Sequence, residues 1–343
     1  MRKGILQILK FLTFLAAGIL LLWLAFRNID FDSLVHGLLE ANYGWVVLSL
    51  VFASLAYVSR VRRWILLIRP LGYNPSFSGT FHSVMTGYLA NLALPRLGEL
   101  TRCIALGRKE KIPVDQLFGT VVIERTIDLI SLLVIMVIML LSSGDAIAGF
   151  LRESIFIPLQ NKVFSAIGST WILWSVLAIA GVISMILLVR YRKDLRKIRI
   201  FAKVFDLARG VIHGLKTITA MKRKKEFIFH TIFIWINYAL MTWVVVFALE
   251  NTSQVTLGES IFLLVIGGLA MSAPVQSGLG AYHYIISRGL AFLEGIRIED
   301  GLVYAILTHE SQLLLVAIVG SVSFFIIFRK RKAPADTADN RSS

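Results

Sequence analysis

Glu124, Arg125 and Asp128 stand inside an apolar run that extends from Leu117 to Leu141. An ionisable side chain at bilayer depth costs at least about 2.5 kcal/mol on insertion scales, so such residues persist where they pair or line a wet cavity. Helical spacing sets Glu124 and Asp128 one turn apart and Arg125 three residues before Asp128, which makes a local ion pair easy. That pair is either an anchor near the membrane boundary or the charged wall of a substrate cavity. A second group is Asn91, Pro95, Arg96, Gly98, Glu99 and Arg102. Pro95 removes a backbone donor and Gly98 permits a sharp reversal, so peptide groups leave the helix ladder here. At membrane depth such backbone is tolerated when packed in protein or beside water. Arg96 and Arg102 have the fork geometry for a lipid phosphate, with Glu99 to hold them in position.

A third group is Ser277, Gly278 and Gly280, followed by His283. A Gly-x-Gly preceded by Ser either exposes amides to an anion at a helix start or makes a close-packed turn. The strand context and acidic residue of a dinucleotide site are absent, as is the Lys of a phosphate loop. The fourth group is His309 and Glu310, between apolar stretches of the last span, which either shuttles protons or forms an interhelical hydrogen-bond cluster. His82 and His283 read as lone structural histidines. The single cysteine, Cys103, has no Cys or His near it at ligand spacing, so no metal, haem, disulfide or other cofactor is expected.

The elements that must position these groups are membrane helices. Of 343 residues 57% are hydrophobic and 17% charged, against about a quarter charged in a soluble domain. Continuous spans are expected near Phe11 to Phe26, Trp45 to Ser59, Leu117 to Leu141, Trp171 to Val189, Phe227 to Leu249 and Leu302 to Phe328. Two further stretches, Gly79 to Leu94 and Ile261 to Leu293, are interrupted by Pro and Gly and read as re-entrant hairpins. The net charge of +15 would suggest nucleic acid in a soluble protein, but here it reports topology, and no nucleic-acid partner is expected. With both hairpins turning back, the basic residues outside the cytoplasm are Arg27, Arg152, Lys162, Arg288 and Arg297, with Arg125 inside a span. Both termini are then cytoplasmic. The expected fold class is an all-α polytopic bundle of about six spans and two hairpins that open to opposite faces, as an inverted repeat would give, although the halves share no visible identity.

The membrane domain is expected over residues 1–332, with an inner basic loop at 190–225 and a disordered cytoplasmic tail at 333–343. The outer loop from Ser142 to Thr170 has helix-like apolar spacing suited to the outer interface. The basic loop alternates Lys or Arg with apolar residues, which fits attraction to anionic inner-leaflet lipids.

In their order and spacing, Asn91...Pro95-Arg96-x-Gly98-Glu99-x-x-Arg102, Glu124-Arg125-x-x-Asp128 and Pro274...Gly278-x-Gly280 resemble the lysylphosphatidylglycerol synthase transmembrane region family, also described as flippase-like. The third motif departs from the family pattern, because His283 stands where a Glu is usual. The resemblance implies a bacterial or archaeal inner-membrane protein that binds or translocates a phospholipid or polyprenyl-type lipid. It also implies a stand-alone member, for which a separate soluble partner would supply any aminoacyl transfer. Three functions are carried forward: a lipid transporter using Arg96, Arg102 and Arg125; a lipid-linked transferase with Glu99 or Asp128 as base; and a module that recruits a partner through the basic loop. Oligomeric state is not legible. Single cysteines at Ser78 and Ser277 are expected to react with impermeant thiol reagents from opposite faces of the membrane. Reaction of both from one face, at similar depth, would refute the inversion.

Overall fold

Short polar residues divide the apolar runs into helices in the computed structural model, which describes residues 16, 18–27, 29–94, 97–142, 221–272 and 276–329. The Asp30 side chain accepts from the Asp32 amide and the Ser33 hydroxyl and starts α1, Phe31–Glu40. Those hydrogen bonds, the Ser33 one foremost, hold the Asp30 carboxyl below its ordinary pKa. Asn42 accepts from Gly44 and starts α2, Tyr43–Ile68; Ser76 accepts from Gly79 and starts α3, Phe77–Ala93. After the break come α4, Leu97–Glu110, and α5, Val114–Ser142. The chain resumes with α6, Lys224–Val244, and a 3-10 turn, Val245–Ala248. A capping box of Thr256 and Glu259 opens α7, Leu257–Met271; α8, Ala281–Glu294, and α9, Ile298–Phe328, complete the fold. No strand occurs among the described residues.

The protein is an all-helical membrane bundle. Helices α2, α6 with its extension, and α9 are long and apolar enough to cross a bilayer. Their outward faces carry the stripes that lipid requires: Val47, Val51, Leu55 and Val58 on α2, Phe229, Ile232 and Ile236 on α6, and Leu314, Ile318, Val322 and Phe325 on α9 are all exposed. Helix α5, with 29 residues, reaches about 44 Å. Both expected hairpins are present as helix, break, helix. The expected span Trp171 to Val189, the outer loop beyond Ser142, the basic loop as far as residue 220 and the tail lie outside the described residues, as do Pro95, Arg96 and Pro274.

A repeat is visible in lengths and neighbours. Helices α2, α3, α4 and α5 have 26, 17, 14 and 29 residues; α6, α7, α8 and α9 have 21, 15, 14 and 31. In each half the second hairpin helix packs on the long helix that follows it, α4 on α5 and α8 on α9. Each first hairpin helix reaches across to the long helix of the other half, α3 to α9 and α7 to α5, while α2 and α6 run along each other. Two main apolar cores lie between the helices, and each draws on both halves. One joins Trp64, Leu106, Leu117, Val121 and Phe227; the other joins Phe262, Leu263, Ile286, Leu290 and Tyr304.

Two expectations are corrected. The second span does not end at Ser59: α2 continues through Arg60 and Arg63 to Ile68, and both arginines are buried. They are therefore not topology charges in a loop. Gly98, too, does not reverse the chain. It lies in the first turn of α4, outside the set of positive-φ glycines, and its lack of a side chain lets α3 and α4 touch. A Cβ at Gly87 would meet the Gly98 carbonyl oxygen at 2.7 Å and Arg102 Cβ at 2.9 Å, and a Cβ at Gly98 would meet the Gly87 carbonyl oxygen more closely still. At its base the hairpin is closed by the Ser76 hydroxyl, which donates to Glu110 Oε1 at 2.6 Å. Gly98→Ala is expected to destabilise the detergent-solubilised protein by about 1–3 kcal/mol through overpacking, read from chemical or thermal unfolding, whereas Gly119→Ala, with open space around it, leaves stability unchanged.

Candidate functional site

Arg60 and Arg63, three residues apart on α2, face Glu124 and Asp128, one turn apart on α5. Arg60 Nη1 lies 2.8 Å from Glu124 Oε1 and 3.0 Å from Asp128 Oδ2. Arg63 Nη2 lies 2.6 Å from Asp128 Oδ1 and 3.5 Å from Glu124 Oε1. From α4, Arg102 Nη1 reaches the other Glu124 oxygen at 3.0 Å while its guanidinium stands 4.7 Å over the Trp64 ring. Arg125 Nη2 pairs with Glu99 at 3.0 Å and is only at the limit of contact with Asp128, at 3.9 Å. The local Arg125 to Asp128 pair expected from spacing is thus the weakest link, and the strong bonds run between helices.

Taking an ion out of water costs several kcal/mol, recovered only through close opposite charge and hydrogen bonds. Glu124, fully buried, has three guanidiniums within 3.5 Å, and Arg60 donates it a hydrogen bond at 2.8 Å. The network joins four arginines, Arg60, Arg63, Arg102 and Arg125, to three carboxylates, Glu99, Glu124 and Asp128, leaving one positive charge in excess among the described residues. Its most open member is Arg125, whose side chain is 42% exposed.

That opening is onto a cavity of about 650 Å³. Its lining includes Arg60, Arg125, Glu99, Asp128, Asn91 and the phenols of Tyr57, Tyr88 and Tyr238; Arg60 Nη2 donates to the Tyr238 hydroxyl at 3.1 Å. Leu129, Leu132, Met241, Leu263, Leu264, Leu313 and Val316 line it as well. The chamber is amphipathic: Arg60 and Arg125 are matched in its lining by Glu99 and Asp128, and apolar side chains complete its walls.

The two hairpins meet at it. Ser277, at the second break, donates from Oγ to the carbonyl of Asn91 near the first break at 3.3 Å. Asn91 Oδ1 in turn accepts from the Gly98 amide at 2.7 Å, so one side chain ends α3, starts α4 and borders the cavity. Ser277 has φ of 48°, and Gly278 and Gly280 also have positive φ. Gly278 is buried against Met271, and Gly280 packs on the backbone of Gly18 to Leu22, where a Cβ would lie 2.5 Å from the Leu22 amide nitrogen. The glycines make close-packed turns, and protein surrounds both positions.

His309 also borders the chamber. Its Nε2 lies 2.8 Å from the Ser277 carbonyl and its Nδ1 3.0 Å from Glu310 Oε1. His283 is not a lone histidine, since its Nε2 is 3.3 Å from the same Glu310 oxygen. His82, by contrast, bonds Ser323.

Of the residues singled out from the sequence, Asn91, Glu99, Arg125, Asp128, Ser277 and His309 border one chamber, while Arg102 and Glu124 are sealed behind it. Arg102 therefore braces the wall. Arg60, Arg63 and the three tyrosines were missed. The available signal was the apolar run Trp64 to Ile68 beyond Arg63, which makes Arg60 and Arg63 intramembrane charges on one face while Arg62 points outward.

Residues 7–320 match the family model described as the lysylphosphatidylglycerol synthase TM region. Over 130 residues the chain is 32% identical to UPF0104 membrane protein MJ1595 of Methanocaldococcus jannaschii, a stretch that covers 37% of this chain and 36% of that protein. The comparison with this relative thus spans about a third of its length.

Glu124→Gln removes a charge that three guanidiniums share and is expected to cost about 3–5 kcal/mol of stability, as for breaking a buried pair. Glu99→Gln, at the open edge with one partner, is expected to cost about 1 kcal/mol or less. Unfolding in detergent checks the ordering.

Proposed function

As the chain belongs to the lysylphosphatidylglycerol synthase TM region family, we propose that it binds an anionic, phosphate-bearing lipid in the chamber and moves its headgroup across the membrane. The observation that carries this reading is a buried ion network with one guanidinium more than its carboxylates, whose Arg60 and Arg125 line a chamber shared with apolar side chains. A lipid phosphate at Arg125 and Arg60 neutralises the network's excess charge, the tyrosine hydroxyls and Asn91 supply hydrogen bonds to the remainder of the headgroup, and acyl chains lie along Leu129, Leu132, Leu263 and Leu313. Glu99 and Asp128 hold the guanidiniums in a fixed orientation, so little ordering cost falls on binding.

The two half-length hairpins meeting at the chamber are the parts that alternate its exposure. Placement in the cytoplasmic membrane with both termini inside follows from the charge bias of the sequence. Transfer chemistry is the weaker reading, since both carboxylates it would use as base are paired with guanidiniums, Asp128 with Arg60 and Arg63 and Glu99 with Arg125.

The test is reconstitution into vesicles carrying a fluorescent phosphatidylglycerol in one leaflet, with loss of the label followed by an impermeant quencher. Wild-type protein is expected to accelerate exchange, and Arg125→Gln to reduce the rate by about ten- to a hundredfold, the worth of one charge-assisted hydrogen bond. A zwitterionic probe is expected to move more slowly than the anionic one. Exchange at the protein-free rate with the wild type, or equal rates for wild type and Arg125→Gln, would overturn the proposal.

A further inference from the structure

The repeat places a second polar cluster where the first has its ion pairs. Glu99 is the third residue of α4 and contacts α5; His283 is the third residue of α8 and contacts α9. Glu124 is the eleventh residue of α5, and His309 and Glu310 are the twelfth and thirteenth of α9. One half fills this junction with guanidiniums and carboxylates. The other fills it with two imidazoles and a carboxylate, donors suited to a metal cation.

Hydrogen-bond chemistry at His309 calls for a positive ion. The Ser277 carbonyl can only accept, so His309 Nε2 carries the hydrogen that faces it at 2.8 Å. In the neutral ring Nδ1 is then a lone pair, 3.0 Å from a Glu310 oxygen that is also an acceptor. Two acceptors at that separation repel unless a cation lies between them. The Nε2 atom of His283 joins them, 3.3 Å from the same oxygen, and the three ligand atoms lie within 4.8 Å of one another. Donors bound to a tetrahedral zinc ion at about 2.0–2.1 Å stand about 3.4 Å apart, so two of the three separations already fit. The hydrogen bond from His309 to a backbone carbonyl is the outer contact that commonly orients a metal-bound imidazole. His283 and His309 are 2% and 5% exposed, and the Glu310 side chain is 43% exposed, which gives an ion a route in.

We propose that His283, His309 and Glu310 form a binding site for a divalent transition-metal ion of the zinc type, set in the wall of the chamber. Three protein donors leave a fourth tetrahedral position for water or a ligand oxygen. Through the His309 contact to Ser277, the ion stiffens the tip of the second hairpin where it meets Asn91.

Tag-free protein in detergent, stripped with chelator, is titrated with zinc sulfate by calorimetry and with cobalt(II) by visible absorption. The expected result is one zinc per chain and cobalt bands of four- or five-coordinate geometry, with affinity lowered about tenfold or more in His283→Gln and in Glu310→Gln. His36→Ala, at the exposed His36 and Glu40 pair, is expected to leave binding unchanged. Glu310→Gln alters a half-exposed group and decides the matter if His283→Gln misfolds. Absence of saturable zinc binding by the wild type, or unchanged affinity in the folded variants, overturns the site and leaves a shared proton as the cation between His309 and Glu310. The readout is binding in detergent, so a negative result leaves the lipid proposal standing, and failed lipid exchange leaves this one standing.

Discussion

Charge burial is the constraint around which the first half of the molecule is built. Glu124 has no exposure to solvent, and its carboxylate is tolerable only because guanidiniums from α2 and α4 reach it together. Those contacts fix three helices at once. The register of α2 is set by the three-residue step from Arg60 to Arg63, that of α5 by the turn from Glu124 to Asp128, and the depth of α4 by Arg102. Apolar packing then shields the network: Trp64 lies under Arg102 and donates to Thr120 at 2.8 Å, while Leu106, Leu117 and Val121 surround it. Low dielectric strengthens every pair inside that shield, and it would make any missing partner costly.

The chamber is a consequence of the same arrangement. Four helices shorter than a bilayer crossing, α3, α4, α7 and α8, cannot fill the interior as full spans do, and the space between their broken tips is bordered by long helices from both halves. Polar groups from α2, α5 and α6 line it because the ion network is beside it, and leucines from α5, α7 and α9 line it too. An amphipathic interior therefore follows from where the charges are buried and where the hairpins stop.

Much of this was legible as pattern. Interrupted apolar stretches marked both hairpins, since Pro and Gly disturb a helix for local reasons that survive in any tertiary setting. The clustering of Asn91, Glu99, Arg125, Asp128 and Ser277 around one space was legible for the same reason: each is a polar residue inside or beside an apolar run. Partner choice was not. Arg125 looked toward Asp128 because helical spacing reports neighbours within a helix, whereas Arg60 and Arg63 lie more than 60 residues away in sequence and are found only by folding. They were assigned to a cytoplasmic loop because a basic residue at the end of an apolar run reads equally as topology or as site, and only the apolar continuation to Ile68 separates the two. The role of Gly98 was misread on similar grounds. A glycine beside a proline suggests a turn, but close approach to Gly87 is a property of two helices, invisible in either alone.

The junction between the hairpins is light compared with the network beside it. One hydrogen bond of 3.3 Å joins Ser277 to Asn91, and Ser277 sits in the left-handed region, which a non-glycine residue occupies at a cost on the order of 1 kcal/mol. What keeps Ser277 there is its carbonyl, held by His309 from the long helix α9. The first hairpin is tied differently, by Arg102 and Glu99 to α5 and by Ser76 and Glu110 at its own base. Among the described residues the tip of the second hairpin is the more lightly tied: separating Ser277 from Asn91 breaks one long hydrogen bond, and relaxation of the Ser277 backbone offsets part of that cost. Parting the first hairpin from α5 would strip Glu124 of a buried partner. The two hairpins are thus held differently, the first by buried ion pairs to α5 and the second by the histidine contact from α9.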